Sequence, residues 1–355
     1  MNVLSVARPR YLCGIEHYGR ELASALVSLG HNVRRADSPG GLKLIRRLRA
    51  PADIAIVHTE IGEDIRSGDA LRLVVAATRS ALPKSRLLIY LHSVFVPSDL
   101  KMRSRAGRRL ACAAQYAIYR LLARSATLIV TNETAARRLS ERGIKARLLP
   151  LGMYRRTSAA GADREFFASR WPHLRGRIAV GIVGHPYEAK RFDLAVRTFA
   201  TLPAEMRRRS FLAITGGNQA VDERAWRSVE RELTALPIDE YVVTGALDEP
   251  SFEAALDALD IVLTPYTGRS SASAVVSALA GRGVALVTSN DPAFADLARD
   301  AAAAVAETWP EQAATICATL IGDAERRETY STRLRSLFES QSIVAVAQRL
   351  MGDAG

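Results

Sequence analysis

Residues 178–199 read IAVGIVGHPYEAKRFDLAVRTF. The first six residues form an apolar run of the length of a buried strand, which ends at Gly184. A polar loop with His185, Lys190 and Arg191 follows, and apolar residues then return at helical spacing. In doubly wound α/β folds, phosphates bind at such a loop, beyond the carboxyl end of a strand and near the free N–H groups of a helix. The segment therefore predicts a strand, loop and helix unit whose loop binds an anion.

The same alternation of short apolar runs and helical segments recurs on both sides of this unit. Because 355 residues exceed one compact core, we expect two α/β domains, each with a parallel sheet. The predicted domains are residues 1–152 and 178–330. Residues 153–177 form the predicted linker, and residues 331–355 a closing helix that can pack back toward the first domain.

Local signals in the first half predict where elements end and which faces they bury. Gly30 is placed to end a helix that begins near Ile15, and Thr131 is a candidate N-cap. Residues 40–50 predict a short basic helix. Residues 101–124 predict a long basic helix, either packed on the sheet or lying on anionic lipid. We favour packing, through an apolar face of Leu110, Ala114, Ala117, Leu121 and Leu122.

The composition is that of a globular protein, with 48% hydrophobic and 24% charged residues. No apolar run reaches 18 residues, so no transmembrane helix is expected. The N-terminus resembles a first strand rather than a signal peptide. The three cysteines match no metal spacing, which suits a reducing compartment. We therefore expect a cytoplasmic location.

The charge is unevenly distributed along the chain. Residues 1–172 hold 30 Lys and Arg against 13 Asp and Glu, a net charge of +17, whereas residues 173–355 have a net charge of −5. A basic half implies an acidic partner: nucleic acid, an anionic membrane surface or a phosphate-bearing substrate. Nucleic acid is the least favoured, because aromatic residues are only 6% and no binding motif is present.

Two histidines each follow an apolar run that predicts a strand, His58 after residues 53–57 and His92 after residues 86–91. In a parallel sheet both imidazoles then lie at the carboxyl edge, where ligands bind in open α/β folds. A structural hydrogen-bonding role is the alternative, and it is favoured for His58. His92 opens the loop SVFVPSDLK, which can line a cleft, and this favours a functional role.

Two further loops are candidates for ligand binding. Gly14 precedes a helix, where its open backbone could approach a ligand, but a plain strand-to-helix turn explains it equally well. The segment PYTGRSSASAVVS, residues 265–277, follows a predicted strand and opens a helix with Ser270, Ser271 and Ser273. Its hydroxyl groups and free N–H groups could hold a phosphate, and ordinary helix capping is the alternative.

Four segments of the chain, in order, resemble motifs of the GT-B glycosyltransferases of family 4, which are retaining enzymes. These segments are Gly14–Val33, Gly184–Phe199, Ala258–Pro265 and Gly283–Ser289. The first is similar to the family's Gly-Gly-Ile-Glu helix and Gly-His-x-Val strand, with Cys13 in place of the first glycine. In the second, Lys190 and Asp193 fall on the family's lysine and aspartate. His185 and Arg191 replace its arginine and glycine.

The resemblance implies two Rossmann-like domains facing a central cleft, with acceptor binding by the first and donor binding by the second. It implies retaining transfer of a sugar from a UDP- or GDP-sugar, with no metal or other cofactor. The implied acceptor is lipid-linked or a polysaccharide, met at the cytoplasmic face of the membrane. Nucleotide-sugar and acceptor are the implied partners.

The resemblance also implies roles for the candidate residues. His92 matches a histidine near the reacting sugar and Lys190 a cation on the leaving diphosphate. We expect His58 and Arg10 to bind the acceptor. The remaining donor-binding candidates are Gly14, Gly184, His185, Arg191, Ser270, Ser271 and Ser273.

One departure from the family supports an alternative. The family has two glutamates eight residues apart, but no Asp or Glu occurs here between Asp260 and Asp291. Ser277 or Ala278 takes the place of the second glutamate, which normally holds the ribose hydroxyls, and residues 267–271 take that of the first. The alternative function is therefore a non-catalytic partner subunit of a glycosyltransferase complex.

Overall fold

A computed structural model describes most of the chain. The described residues are 1–7, 14–37, 52–59, 69–78, 80, 82–92, 94, 104–154, 165–216, 222–267, 273–291 and 294–352. The chain divides into two compact units. The first comprises Met1–Gly152, Ser270–Ala274 and Gln341–Gly355, and the second comprises Met153–Arg269 and Val275–Ser340. The predicted helix at 40–50 and the candidate residues Arg10, Ser270 and Ser271 lie outside the described residues.

The first unit is built on a parallel sheet. Its strands are β1 Asn2–Ala7, β2 Asn32–Asp37, β3 Ile54–Thr59, β4 Leu87–Leu91, β5 Thr127–Val130 and β6 Arg147–Leu148. They lie in the order β2-β1-β3-β4-β5-β6, with every pair parallel. The helices described before the second unit are α1 Gly14–Ser28, α2 Asp69–Thr78, α3 Arg105–Ser125 and α4 Glu133–Ser140.

The second unit repeats this plan. Its strands are β7 Ile178–Val183, β8 Ser210–Thr215, β9 Tyr241–Val243, β10 Ile261–Thr264, β11 Ala285–Ser289 and β12 Ala304–Ala306. The sheet order is β12-β11-β10-β7-β8-β9, again all parallel. Its helices are α5 Phe166–Arg170, α6 Phe192–Thr201, α7 Ala204–Arg209, α8 Glu223–Leu233, α9 Glu249–Asp257, α10 Ala274–Leu279, α11 Ala295–Arg299, α12 Glu311–Gly322 and α13 Ala324–Ser340.

The strands are apolar because helices cover both faces of each sheet, as expected for parallel sheets. All six residues of β3 and all five of β4 are buried. In β7 every residue after Ile178 is buried. Each unit therefore has its own core, and the alternation that the sequence predicts is confirmed. Strand β12 was not predicted, because Ala304–Ala306 lies in an alanine-rich segment with no strand-like contrast.

Gly30 ends α1 as predicted. Its φ is +82°, and its N–H donates to the carbonyl oxygen of Val27 at 2.9 Å. The N–H of His31 donates to the carbonyl oxygen of Leu26 at 3.1 Å, which completes the usual glycine-terminated helix end. The left-handed conformation explains why the position holds a glycine.

Two local predictions in the first unit are wrong. The N-cap of α4 is Asn132 and not Thr131, since the Asn132 side chain accepts from the N–H of Ala135 at 2.8 Å. Helix α3 forms, but Leu110 is 73% and Leu121 38% exposed. Of the predicted face, Leu122 is buried as expected, and the other buried residues of the helix are Cys112, Gln115, Tyr116 and Tyr119. Large tyrosine rings fill most of this interface, and Leu110 and Leu121 lie outside it.

The predicted closing segment, residues 331–355, is not a single helix: it begins within α13 and continues in a second helix. After α12 and α13, the last helix, α14 Ile343–Gly352, belongs to the first unit and packs against α1. A Cβ atom on Gly152 would lie 2.9 Å from the Cα of Ile343, so only glycine allows this approach. Among the described residues, no helix is long and apolar enough to cross a membrane.

Candidate functional site

Both sheets are doubly wound, and each therefore has one point at which the strand order reverses. Ligands bind beyond the carboxyl ends of the strands at such a point. In the first unit the reversal lies between β1 and β3, and in the second it lies between β7 and β10. His58 lies in β3, and the loop that begins at Gly184 follows β7 directly. The two sheets thus place sequence-predicted candidates where the fold favours binding.

Gly184 and Lys190 form the centre of the site in the second unit. Gly184 has a φ of +100°, and a Cβ atom there would lie only 2.5 Å from the Lys190 Nζ. Lys190 is 7% exposed, and its ammonium group lies 5.5 Å from the ring centre of Tyr187 and 5.9 Å from that of Tyr266. Both distances are within the range of cation–π attraction. The glycine thus makes room for a largely buried positive charge beside the end of β7.

Neighbouring strands hold this loop in place. The N–H of Gly184 donates to the carbonyl oxygen of Thr215 at 2.9 Å, and the N–H of Thr267 donates to that of Ala189 at 2.8 Å. A Cβ on Gly216 would lie 3.3 Å from the backbone of Gly184, which makes the contact between these two turns close. The loop is therefore fixed by β8 on one side and by the segment after β10 on the other. A preorganised cation of this kind stabilises an anion more strongly than a mobile one.

His185 lies next to this cation. Its side chain is half-buried, and among the described residues its Nδ1 is buried with no hydrogen-bond partner. Burial, together with the charge of Lys190, lowers the pKa of His185 below its usual value. The ring is therefore neutral at pH 7 in the free protein. An anion near Lys190 would favour the protonated ring, because an opposite charge raises the pKa of a histidine.

Arg191, a predicted donor-binding residue, is paired with a carboxylate in the first turn of α6. It adopts the left-handed conformation, with φ +48°, directly before α6. Its guanidinium forms a two-point contact with the Asp193 carboxylate, with the closest N···O distance 2.9 Å. This contact, above all its hydrogen bond, raises the pKa of Arg191. An acidic residue in the first turn thus offsets the repulsion between this cation and the helix N-terminus.

The serines near α10 occupy buried positions. Ser273, immediately before α10, is 9% exposed, and Ser277 within the helix is 4% exposed. A methyl carbon of Val275 lies 3.6 Å from the position of a Cβ on Gly184, so α10 begins close to the Lys190 site. Arg282, three residues beyond the end of α10, forms a buried ion pair with Glu253 and a second one with Asp257 at 2.6 Å. These two carboxylates are therefore committed to a structural contact.

In the first unit, His58 and His92 contact each other. The Nδ1 of His58 and the Nε2 of His92 are 3.1 Å apart, within hydrogen-bond distance. His58 is 4% and His92 9% exposed. Burial lowers the pKa of His58 well below its ordinary value, and the neighbouring His92 lowers it further. Burial lowers the pKa of His92 to about 4. Both rings are consequently neutral at pH 7.

Two tyrosines enclose the histidine pair. Tyr18 of α1 and Tyr90 of β4 lie with their ring centres 5.1–6.0 Å from those of His58 and His92. The Tyr18 hydroxyl accepts a hydrogen bond from the N–H of Gly152 at 3.3 Å, and burial raises the pKa of Tyr18 to about 12. We call Tyr18, His58, Tyr90 and His92 the ring cluster. It is uncharged at pH 7.

Tyr18 and Tyr90 were not among the predicted site residues. Each has the pattern of an ordinary core aromatic, one at helical spacing in α1 and one inside the buried strand β4. The signal that could have found Tyr90 is strand register, since His58 pairs with Tyr90 across the sheet. Gly14, which the sequence placed just before α1, is the first residue of that helix. Strand β3 also runs one residue past His58, to Thr59.

Comparison with known proteins gives one curated relative and many solved structures. No protein-family model matches the chain. A 2-deoxystreptamine glucosyltransferase from Streptomyces kanamyceticus is 30% identical over 245 residues, which are 67% of this chain. The match covers 60% of that relative's length.

Two solved structures are similar over almost the whole chain. Anabaena HepE in complex with UDP has a TM-score of 0.75 at 13% identity, with 99% of both chains covered. Sucrose-phosphate synthase from Thermosynechococcus elongatus has a TM-score of 0.74 at 14% identity, with 99% of this chain and 97% of that chain covered. The predicted fold class is confirmed: the chain has the two-domain α/β architecture of the GT-B fold.

Proposed function

We propose that this protein is a retaining glycosyltransferase that takes a sugar from a nucleotide-diphosphate donor. The observation that supports it best is the position of Lys190, a largely buried ammonium group beside a glycine turn at the strand-order reversal of the second sheet. Breaking a bond between sugar and diphosphate leaves negative charge on the diphosphate. A fixed cation stabilises that charge as it develops, and such stabilisation is often the largest single contribution to catalysis.

The comparisons support the donor class. HepE binds UDP in one structure and UDP-glucose in another, and its fold extends over the whole of this chain. The relative from Streptomyces is a glucosyltransferase. UDP-glucose is therefore the first donor to test, followed by GDP-sugars. We propose Lys190 and His185 as ligands of the diphosphate, with Gly184 beside them, and Ser273 as a further donor-binding residue at the start of α10. We propose that His92 meets the transferred sugar and that no metal takes part.

The experiment measures sugar transfer from UDP-, GDP- and ADP-sugars, preceded by thermal shift with the corresponding nucleoside diphosphates. A diphosphate at one hundred times its Kd adds about 2.7 kcal/mol to stability, which is easily detected. Lys190→Ala is expected to lower turnover about a hundred- to thousandfold. The matched control is Arg227→Ala, which removes an exposed arginine paired with Glu223 on α8.

Equal losses of turnover for Lys190→Ala and Arg227→Ala would show that Lys190 is not part of the site. Absence of both binding and turnover with every donor would contradict the proposed activity. In that case, stable co-purification with an active glycosyltransferase would identify a non-catalytic partner subunit instead.

Charge favours an anionic acceptor over the acceptor of the curated relative. 2-Deoxystreptamine is a diamine and is cationic at neutral pH, whereas residues 1–172 carry a net charge of +17. Like charges at this density repel. We therefore propose a lipid-linked or polysaccharide acceptor with phosphate or other acidic groups. An assay that offers a diphosphate-linked saccharide beside 2-deoxystreptamine decides between them.

We further propose that the protein works at the cytoplasmic membrane face and contacts it through α3. This helix contains no acidic residue, and it exposes Leu110 and Leu121 beside Arg105, Arg109 and Arg124. Exposed leucines among arginines match a surface of anionic lipid. Leu110→Glu is expected to weaken binding to anionic vesicles. Leu71→Glu serves as the control, because Leu71 is 64% exposed on α2. Equal effects of the two variants would contradict the contact.

A further inference from the structure

The hydrogen bond between His58 and His92 admits only two proton arrangements. Each ring is neutral and carries one proton, so one nitrogen of the contact donates and the other accepts. Either the Nδ1–H of His58 donates to the Nε2 of His92, or the Nε2–H of His92 donates to the Nδ1 of His58. The distance of 3.1 Å fits both.

The second nitrogen of His58 distinguishes the two arrangements. In the described part of the chain, the Nε2 of His58 is buried and has no hydrogen-bond partner. If His92 donates, this nitrogen carries a buried N–H group with no acceptor. If His58 donates, the nitrogen carries only a lone pair. Buried donors without an acceptor are rarer in proteins than acceptors without a donor. The arrangement in which His58 donates is therefore favoured.

We propose that His58 is a positioning residue: it holds His92 in the Nδ1–H tautomer, so that His92 meets its ligand as a hydrogen-bond donor. The Nε2 of His92 is occupied by His58, which leaves Nδ1–H for an acceptor atom such as a sugar hydroxyl oxygen. The lowered pKa values of both histidines are consistent with this role, because a ring that stays neutral at pH 7 carries one ring proton, whose position a hydrogen bond can fix. His92 then orients its ligand rather than removing a proton from it.

The ring cluster explains how the arrangement is held. His58 stacks on Tyr90 with ring centres 5.1 Å apart and an angle of 21° between the planes. Tyr18 packs edge to face against both histidines. These contacts fix the ring of His58 about its side-chain torsions and keep water from its Nε2. His58 can impose one tautomer on His92 only if its own ring is fixed in orientation and shielded from water.

The proton positions can be measured without any ligand. Long-range ¹H–¹⁵N correlation spectra of the full chain, labelled in its six histidines, show which ring nitrogen of each carries hydrogen. His92→Asn assigns the signal. We expect the Nδ1–H form for both His92 and His58. An Nε2–H form for His92 would overturn the proposal.

Two variants of His58 separate positioning from packing. His58→Asn places an amide donor near the position of Nδ1, whereas His58→Phe keeps the ring volume and has no donor. The Phe variant is expected to give His92 a mixture of tautomers and to lower kcat about tenfold, as for one lost hydrogen bond, with KM for the donor nearly unchanged. The Asn variant is expected to recover the Nδ1–H form and most of the rate. Equal tautomer ratios in wild type and Phe variant would overturn the proposal.

The role of His58 in catalysis rests on the proposed function. The tautomers that the spectra report do not depend on it. If no donor supports transfer, the tautomer of wild-type His92 still decides whether His58 controls it. If transfer occurs and His92 is in the Nε2–H form, the proposed function stands and this inference fails. Retained UDP affinity in both variants shows that the second unit is intact, and far-ultraviolet circular dichroism reports the fold of the first.

Discussion

Both sheets carry candidate binding residues at the carboxyl ends of their strands, at the ends of β3 and β4 in the first and after β7 in the second. The two sets of residues differ in charge. In the first sheet, His58 and His92 are buried, neutral and hydrogen-bonded to each other. In the second, the loop after β7 places the buried ammonium group of Lys190 against Gly184. One site can offer only hydrogen bonds, and the other offers charge. The doubly wound fold sets where ligands can bind, and a few side chains decide which ligand each unit accepts.

Acid is expected to break this comparison most strongly, because it protonates both histidines in the unfolded chain while they stay neutral in the folded one. The pKa values of His58 and His92 in the folded chain are lower than in the unfolded chain, where they are about 6.5. Stability is therefore complete above about pH 6.5 and falls as the pH is lowered toward 4. The slope is about 1.4 kcal/mol per pH unit for each histidine.

Calorimetric Tm values at pH 7.5 and pH 5 test this. Tyr18 and Tyr90, the other titratable groups of the ring cluster, stay neutral throughout this range. A double variant with Asn at positions 58 and 92 has no titrating ring and should lose clearly less Tm than the wild type. The same loss of Tm in both proteins would show that the pair does not control acid stability.

Gly184→Ala is expected to displace the Lys190 ammonium group and so to weaken UDP binding by the second unit. A residue with a Cβ is strained at a φ of +100°, and the new atom would lie 2.5 Å from the Lys190 ammonium group. Shifting the loop costs about 1–3 kcal/mol, so UDP affinity should fall roughly tenfold or more. Gly176→Ala is the control, since its φ is +77° and nothing lies within 4 Å. If both variants bind UDP equally well, the glycine does not shape the site.

His185 should make UDP binding depend on pH. The ring is neutral in the free protein, and a bound diphosphate favours its protonated form. From pH 7.5 to 5.5, the ratio of UDP affinity between wild type and His185→Asn should rise about fivefold. The ratio cancels the titration of UDP itself. A constant ratio would mean that His185 does not contact the diphosphate.

Arg191→Ala is expected to give the smallest effect, a change in UDP affinity of about twofold. The Arg191 guanidinium is hydrogen-bonded to the Asp193 carboxylate. Contact with a diphosphate would require it to break these hydrogen bonds. Isothermal titration at low ionic strength measures the change. A loss as large as that for Lys190→Ala would assign Arg191 to the diphosphate together with Lys190.

The fold and the second site could be predicted from the sequence to a large extent. Apolar runs of strand length, each followed by a helical pattern, give the observed bounds of β7 and the start of α6 at Phe192, although the helix continues to Thr201, two residues past the predicted stretch. Local signals of this kind are available because strand, loop and helix are adjacent in the chain. Lys190 was singled out for the same reason, since its loop directly follows the strand that positions it.

The ring cluster could not be predicted in the same way. His58 and His92 are 34 residues apart, and their contact depends on the register that pairs β3 with β4. The buried face of α3 also depended on tertiary packing, which selected Tyr116 and Tyr119 rather than the exposed Leu110. Hydrophobicity ranks leucine above tyrosine, but the shape of the space above the sheet decides which side chain fills it.

Isothermal titration of UDP into the wild type, Lys190→Met and His92→Asn tests the contrast between the two sites most directly. Methionine keeps the length of the lysine side chain without its charge. The charged site should lose UDP affinity at least about tenfold in Lys190→Met, whereas His92→Asn should stay within about twofold of the wild type. Equal losses in the two variants, or UDP binding that survives Lys190→Met unchanged, would contradict the assignment of charge to the second site and hydrogen bonding to the first.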